Sequence, residues 1–200
     1  MRDVAVRQSR KAMLQLPHVA PLTLYAANLR ARGLGEVPDF DPLDGGIDAT
    51  ALFLFEKPGP MTAETGKRVG SGFISRNNDD PTAAAIFNFM QRAAIPRKLT
   101  VIWNVVPWWN GTRKVTAQEL RAGVLCVKEL VTLLSQLRVV VFVGDKAARA
   151  RPLIDDGRLQ LLASCHPSPL VRASFPDRWE RNPAEWAKEM TLHSSQNLLS

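Results

Sequence analysis

The sequence predicts an α/β protein, a three-layer α/β/α sandwich around a central four-stranded parallel sheet. Short apolar runs recur at 51–55, 100–106, 139–143 and 159–164. Segments with amphipathic helical spacing lie between them, and capping or turn residues mark most junctions. The length of 200 residues suits one hydrophobic core, and 46% hydrophobic with 22% charged residues is ordinary for a globular chain.

The first fifty residues read as a lead-in. Val4 to Leu16 has the pattern of an amphipathic helix, interrupted by Pro17 and Pro21. A second helix is expected from Leu22 to Arg32, stopped by Gly33 and Gly35. Residues 36–48 hold Pro38, Pro42, Gly45 and Gly46 among four Asp and one Glu, and read as loop. The expected division is therefore a helical extension, 1–48, packed on a main domain, 49–200.

Ala51-Leu52-Phe53-Leu54-Phe55 reads as a strand buried on both faces, ended by Pro58 and Gly59. Asp79 or Asp80 can cap a helix with Pro81 in its first turn and Ala83, Ile86, Phe87 and Met90 on one face. Thr100 to Val106 is the second strand. Thr116 and Glu119 form a capping-box pattern opening a long helix to about Leu137. Val139 to Val143 is the third strand, closed by Gly144, and a short helix follows from Asp145 to about Ile154. Leu159 to Ser164 is the fourth strand, and a terminal helix begins at about Pro183.

The net charge of +7 and pI near 9.9 favour a polyanionic partner, because each phosphate contact releases counterions. Solubility alone is the bland alternative. Cys126 and Cys165 lack metal-ligand spacing and read as buried free thiols, which points to a reducing, intracellular compartment. No apolar run reaches the length of a membrane span, and the N-terminus lacks a signal-peptide core.

In open parallel sheets, ligands bind beyond the carboxyl ends of the strands. The loops at those ends are the place to look for chemistry. Glu56, at the end of a buried strand, suits a general base or charge stabiliser; the alternative is a turn carboxylate paired with Lys57 or an arginine. Pro58-Gly59 lets main chain approach a ligand closely. Asn104 carries both a donor and an acceptor, enough to read a pyrimidine edge or to cap a turn. Trp108 and Trp109 either stack on a base or cover the core. His166, between a strand and Pro167-Ser168-Pro169, is held at the ligand edge by a stiff loop ending in apolar Leu170.

Glu56-Lys57-Pro58-Gly59 and His166-Pro167-Ser168-Pro169-Leu170 together resemble the motifs of the uracil-DNA glycosylase superfamily, in order and spacing, over roughly residues 50–175. The first motif is similar to the form found in the iron–sulfur branch, but that branch's cluster cysteines are absent, and Phe55 stands where a glycine is usual. The resemblance implies the sandwich fold, no metal or organic cofactor, and a monomer that releases free uracil from DNA. It implies Glu56 as the water-activating or water-orienting group and His166 as donor to uracil O2. It also implies that Pro58 and Gly59 shape the pocket, that Phe73 stacks on the flipped base, and that Asn104 reads the uracil edge. Ser168 would touch a phosphate, Pro169 would stiffen that loop, and Leu170 or Val171 would wedge into the duplex. Lys57 lies in the substrate turn, where it would meet substrate or DNA phosphate. Arg172, Arg178, Arg68, Arg76 and Arg113 are candidates for gripping the backbone. The rival readings are a non-catalytic nucleic-acid-binding protein on the same fold, a glycosylase for another deaminated base, and a small-molecule nucleotide enzyme. The last lacks a Gly-rich phosphate loop after a strand.

Overall fold

The computed structural model describes residues 1, 3–64, 69–154 and 157–196. In chain order its elements begin with α1 (Val4–Ala12), α2 (Ala20–Ala31), β1 (Asp39–Phe40), β2 (Ala51–Phe55), β3 (Phe73–Ile74) and α3 (Pro81–Arg92). They continue with β4 (Thr100–Asn104), α4 (Ala117–Leu133), β5 (Val139–Val143), α5 (Asp145–Ala148), α6 (Arg151–Ile154), β6 (Gln160–Ser164), α7 (Pro169–Ser174) and α8 (Pro176–Gln196).

Four strands form one parallel sheet in the order β4-β2-β5-β6. The chain leaves β2 for β4 on one side, then returns to place β5 on the other. The sheet therefore has a crevice at the carboxyl end of β2, where the winding direction reverses. Every residue of β2, β4 and β5 is buried, as continuous apolar runs covered on two faces require. Leu54 is paired with Trp103 and Phe142, so these three side chains share a face. On that face Tyr25 of α2 meets Trp103 and donates from its hydroxyl to the Cys126 carbonyl of α4 at 2.7 Å. On the opposite face Phe53 meets Trp186 of α8 edge-on, and Phe89 of α3 meets both Trp179 and Trp186.

Local chemistry explains the helix starts. The Asp80 carboxylate accepts the Ala83 N–H, and Pro81 fills a first-turn position where no donor is needed. Thr116 and Glu119 complete a reciprocal capping box. Several boundaries differ from expectation: α1 stops at Ala12, short of Leu16, and β4 stops at Asn104, short of Val106. α4 ends at Leu133 because Leu134 leaves helical geometry (φ −94°, ψ 76°). The segment after β5 divides into α5 and α6, because Pro152 has no N–H for a continuous ladder. Ser168 caps an additional short helix, α7, with its hydroxyl accepting from the Val171 N–H. α8 starts at Pro176, well before Pro183, which lies inside it. Buried Trp179, Asn182 and Trp186 hold this segment onto the sheet.

Residues 20–48 are tied into the main core. Leu22, Tyr25, Ala26 and Leu29 of α2 belong to it, and β1 pairs in parallel with β3. A buried charge network joins α1 to this region. Asp41 receives Arg10 and Arg97, each at 2.5 Å, and the Ser75 hydroxyl. Asp44 receives Arg97 at 2.7 Å and Arg76 at 3.3 Å. Arg76, 4% exposed, is therefore a structural ion-pair partner and not the DNA-facing arginine expected from sequence. A buried guanidinium is tolerated only when paired and hydrogen-bonded.

Candidate active site

A cleft of about 910 Å³ opens at the carboxyl ends of the central strands. Its walls come from separate segments: residues 55–62 after β2, Asn104 at the end of β4, Gly144 to Lys146 after β5, and Cys165, His166, Ser168 and Leu170 after β6. The topology thus brings Glu56, Pro58, Gly59, Asn104 and His166 to one cavity from the ends of three strands, β2, β4 and β6.

His166 is the most defined of these groups. Its Nδ1 accepts the Ser168 N–H at 3.2 Å. A neutral ring with Nδ1 as acceptor carries its proton on Nε2. Burial, then the charge of Lys146, lowers its pKa from 6.5 to about 4, so the ring is neutral at pH 7. The Phe55 ring meets it edge-on at 5.6 Å. This gives Phe55 a packing role beside the imidazole. Gly144 backs the imidazole: a Cβ there would lie 3.0 Å from the His166 Cβ and 3.1 Å from its Cδ2. From behind, fully buried Asn182 donates to the Cys165 carbonyl at 3.1 Å, fixing the strand end that carries His166.

The Glu56 carboxylate is 25% exposed and lies 3.4 Å from the Lys146 ammonium. The Lys57 side chain is 2% exposed and turns the other way. Its ammonium donates to Glu119 at 2.8 Å, Asn110 at 2.7 Å and the Lys114 carbonyl at 3.2 Å. The expected Lys57 contact with substrate or phosphate is corrected accordingly: a buried cation with three acceptors has no donor left for DNA. Burial pushes the Glu119 carboxyl up, but Lys57 and the Thr116 N–H outweigh it and hold it down at about 2.

Asn104 is 4% exposed, and its side-chain carbonyl has no hydrogen-bond partner among the described residues. A buried amide left unsatisfied by protein is suited to a ligand that completes it. A Cβ on Gly59 would meet nothing within 4 Å, so this part of the cleft holds free space beside the main chain.

Phe73 is the clearest correction. It is fully buried against Leu14 and Val19 and does not line the cleft. Side chains alternate along a strand, so within β3 it is Ile74 that faces the cavity. A stacking role for Phe73 is excluded by the same one-residue parity.

At the rim, Leu170 is 77% exposed, whereas Val171 packs on the core. Of the two wedge candidates, only Leu170 protrudes. Pro169 opens α7 and Ser168 caps it. The Arg172 guanidinium lies 4.8 Å from the Trp179 ring centroid, and that of Arg178 5.6 Å from Phe175. Arg113 lines the cleft, and Arg68 lies outside the described residues. Trp108 is core and Trp109 bridges to Glu36; neither lines the cleft.

Ser75, Asn78, Asp79 and Lys146 also line the cleft, and sequence reasoning missed them as site residues. The available signal for Lys146 was its place just after the Gly144 strand end. Nothing local marked Asn78, whose amide donates to the Phe73 carbonyl at 2.9 Å. Among the described residues, no cluster of three or more His, Cys, Asp or Glu is placed to hold a metal, and no helix is long and apolar enough to cross a membrane. Cys126 and Cys165 are free and buried.

No curated protein matches the sequence. A solved structure of mimivirus UNG in complex with UGI is similar over 80% of this chain and 73% of its own, with 15% identity and a TM-score of 0.44. Residues 44–188 match the profile of the Uracil DNA glycosylase superfamily. That span runs from the Asp44 loop into α8 and includes all four strand ends of the cleft, and on this match the chain belongs to the Uracil DNA glycosylase superfamily.

Proposed function

We propose that the protein is a monofunctional DNA glycosylase that removes uracil flipped out of DNA, leaving an abasic site, and acts as a monomer inside the cell. The observation that carries this reading is the neutral His166 ring with its proton on Nε2, enclosed in the same cleft as the unsatisfied Asn104 amide.

Extruding the nucleotide costs a few kcal/mol of unstacking. Leu170 fills the gap in the stack, and Arg172 and Arg178 meet the backbone near it. Asn104 pairs with the pyrimidine edge. The C1′–N1 bond then breaks with its electron pair moving into the base, and negative charge collects on O2. His166 donates a hydrogen bond from Nε2 to that oxygen, stabilising the leaving anion without giving up its proton. Water adds to C1′ and loses a proton to the Glu56 carboxylate. The products are the abasic sugar and uracil, which takes a proton from solvent.

The test is release of free uracil from a uracil-containing oligonucleotide, assayed with and without alkaline strand cleavage. Release with strand cleavage only after alkali is expected. Wild-type protein that binds DNA but releases no uracil, xanthine, hypoxanthine or mismatched thymine would overturn the enzyme reading in favour of a binding protein.

A further inference from the structure

Lys57, directly after Glu56 in the cleft wall, has a nearly fully buried side chain whose ammonium is engaged away from Glu56. Its ammonium makes two contacts on one short stretch: the Asn110 side chain at 2.7 Å and the Lys114 carbonyl at 3.2 Å. These bracket residues 111–113 and close them into an arch. Gly111 turns within it at φ +85°, where side-chain-bearing residues are strained. Both ends are anchored. Before the arch, Trp108 is buried and Trp109 exchanges two backbone hydrogen bonds with Glu36 at 2.8 and 2.9 Å. After it, Thr116 caps α4, and Glu119 bonds Lys57, the Asn110 amide and the Thr116 N–H together.

The residue displayed by this arch at the cleft is Arg113. It is exposed, and no ion pair engages it among the described residues. It stands on the β4 side of the cavity, whereas Arg172 and Arg178 belong to the β6 side. A nucleic acid crossing the cleft would meet cations on both banks.

We propose that residues 110–114 form a DNA-backbone-binding arch in which Arg113 contacts a phosphate, and that Lys57 is the positioning residue that holds the arch shut. This rests on the DNA-glycosylase reading for the identity of the polyanion. The physical reason for a buried lysine here is preorganisation: a guanidinium on a closed arch loses less freedom on binding than one on an open loop.

Binding of a uracil-containing duplex oligonucleotide is measured by fluorescence anisotropy across a salt series, because each phosphate neutralised contributes about 0.9 to the slope of log K against log salt. Arg113→Ala should lower the slope by about one phosphate contact, and Arg113→Lys should restore most of it. Lys57→Met should lower it by a similar amount, and the double variant should lose no more than either single one. A purely structural lysine would not spend its effect on the salt slope through Arg113. Gly111→Ala strains the arch without touching the core and should act in the same direction, so the proposal stays testable if Lys57→Met fails to fold. An unchanged slope for Arg113→Ala refutes the phosphate contact. A lowered slope for Arg113→Ala with unchanged slopes for both Lys57→Met and Gly111→Ala refutes the clamp. Uracil release by the same wild-type preparation separates the two readings: activity with an unchanged Arg113→Ala slope fails the arch alone, and a lowered slope without base release supports the arch while failing the glycosylase.

Discussion

Gly144→Ala is the sharpest perturbation of the His166 setting. Gly144 ends β5 with φ +94° and ψ 153°, a region essentially reserved for glycine, where any other residue costs about 1–3 kcal/mol. The new methyl would also stand 3.0 Å from the His166 Cβ and 3.1 Å from its Cδ2, so one of the two must yield by a few tenths of an ångström. For a domain of this size, about 1–3 kcal/mol corresponds to a fall in Tm of roughly 2–12 °C. On the proposed mechanism, displacing the imidazole would also lengthen its hydrogen bond to the leaving base. Removal of a comparable preorganised donor costs roughly 100- to 1,000-fold, and a partial displacement should cost roughly 10- to 100-fold. Thermal denaturation reads the first effect and single-turnover uracil release the second. A Gly144→Ala protein with wild-type Tm and wild-type single-turnover rate would show that neither the backbone conformation nor the contact with His166 constrains the site.

His166→Ala removes the donor itself and should lower single-turnover release by roughly 100- to 1,000-fold; equal rates would remove its assigned role. In an NMR titration the His166 ring should stay neutral down to about pH 4, and Lys146→Ala should raise that value by removing the neighbouring positive charge. The linked stability has a definite sign. A histidine whose folded pKa is depressed contributes stability that is complete above about pH 6.5 and lost as the pH falls toward 4. Asp44, raised by burial to about 6 despite Arg76, works in the opposite direction. The His166 share is therefore the difference between wild type and His166→Ala in urea titrations at pH 7 and pH 5; no change in that difference would contradict the burial of the ring. Asn104→Ala should lower kcat/KM on uracil by roughly 10- to 100-fold, the cost of leaving a buried ligand group unpaired. Leu170→Ala should weaken activity on duplex DNA more than on single strands, because only a duplex has a stack to fill; equal losses on both would count against the wedge.

The alternation of apolar runs and amphipathic stretches made the sheet and most helices legible, because burial on both faces demands continuous β-branched and aromatic strands. Asp80-Pro81 and Thr116-Glu119 marked helix starts through local hydrogen bonding. Boundaries were less legible where long-range packing decides them. Pro183 lies inside α8 because buried Trp179, Asn182 and Trp186 hold the segment on both sides of it.

Of the candidate site, the sequence by itself determined which residue types stand at the strand ends: Glu56, Asn104 and His166, with Leu170 beyond. Strand-end position is a local property, readable from where each apolar run stops. Only the tertiary structure decided which of the neighbouring side chains turn inward. Phe73 and Ile74 are adjacent, and the parity of β3 sends one to the core and the other to the cleft. Lys57 sits beside Glu56, but Asn110, Lys114 and Glu119 draw it away. Arg76 and Arg113 carry the same charge, but Asp44 buries the first and an arch displays the second. These outcomes depend on partners 32 to 62 residues distant in the chain (Asp44 from Arg76, Asn110 and Glu119 from Lys57), which no local pattern specifies.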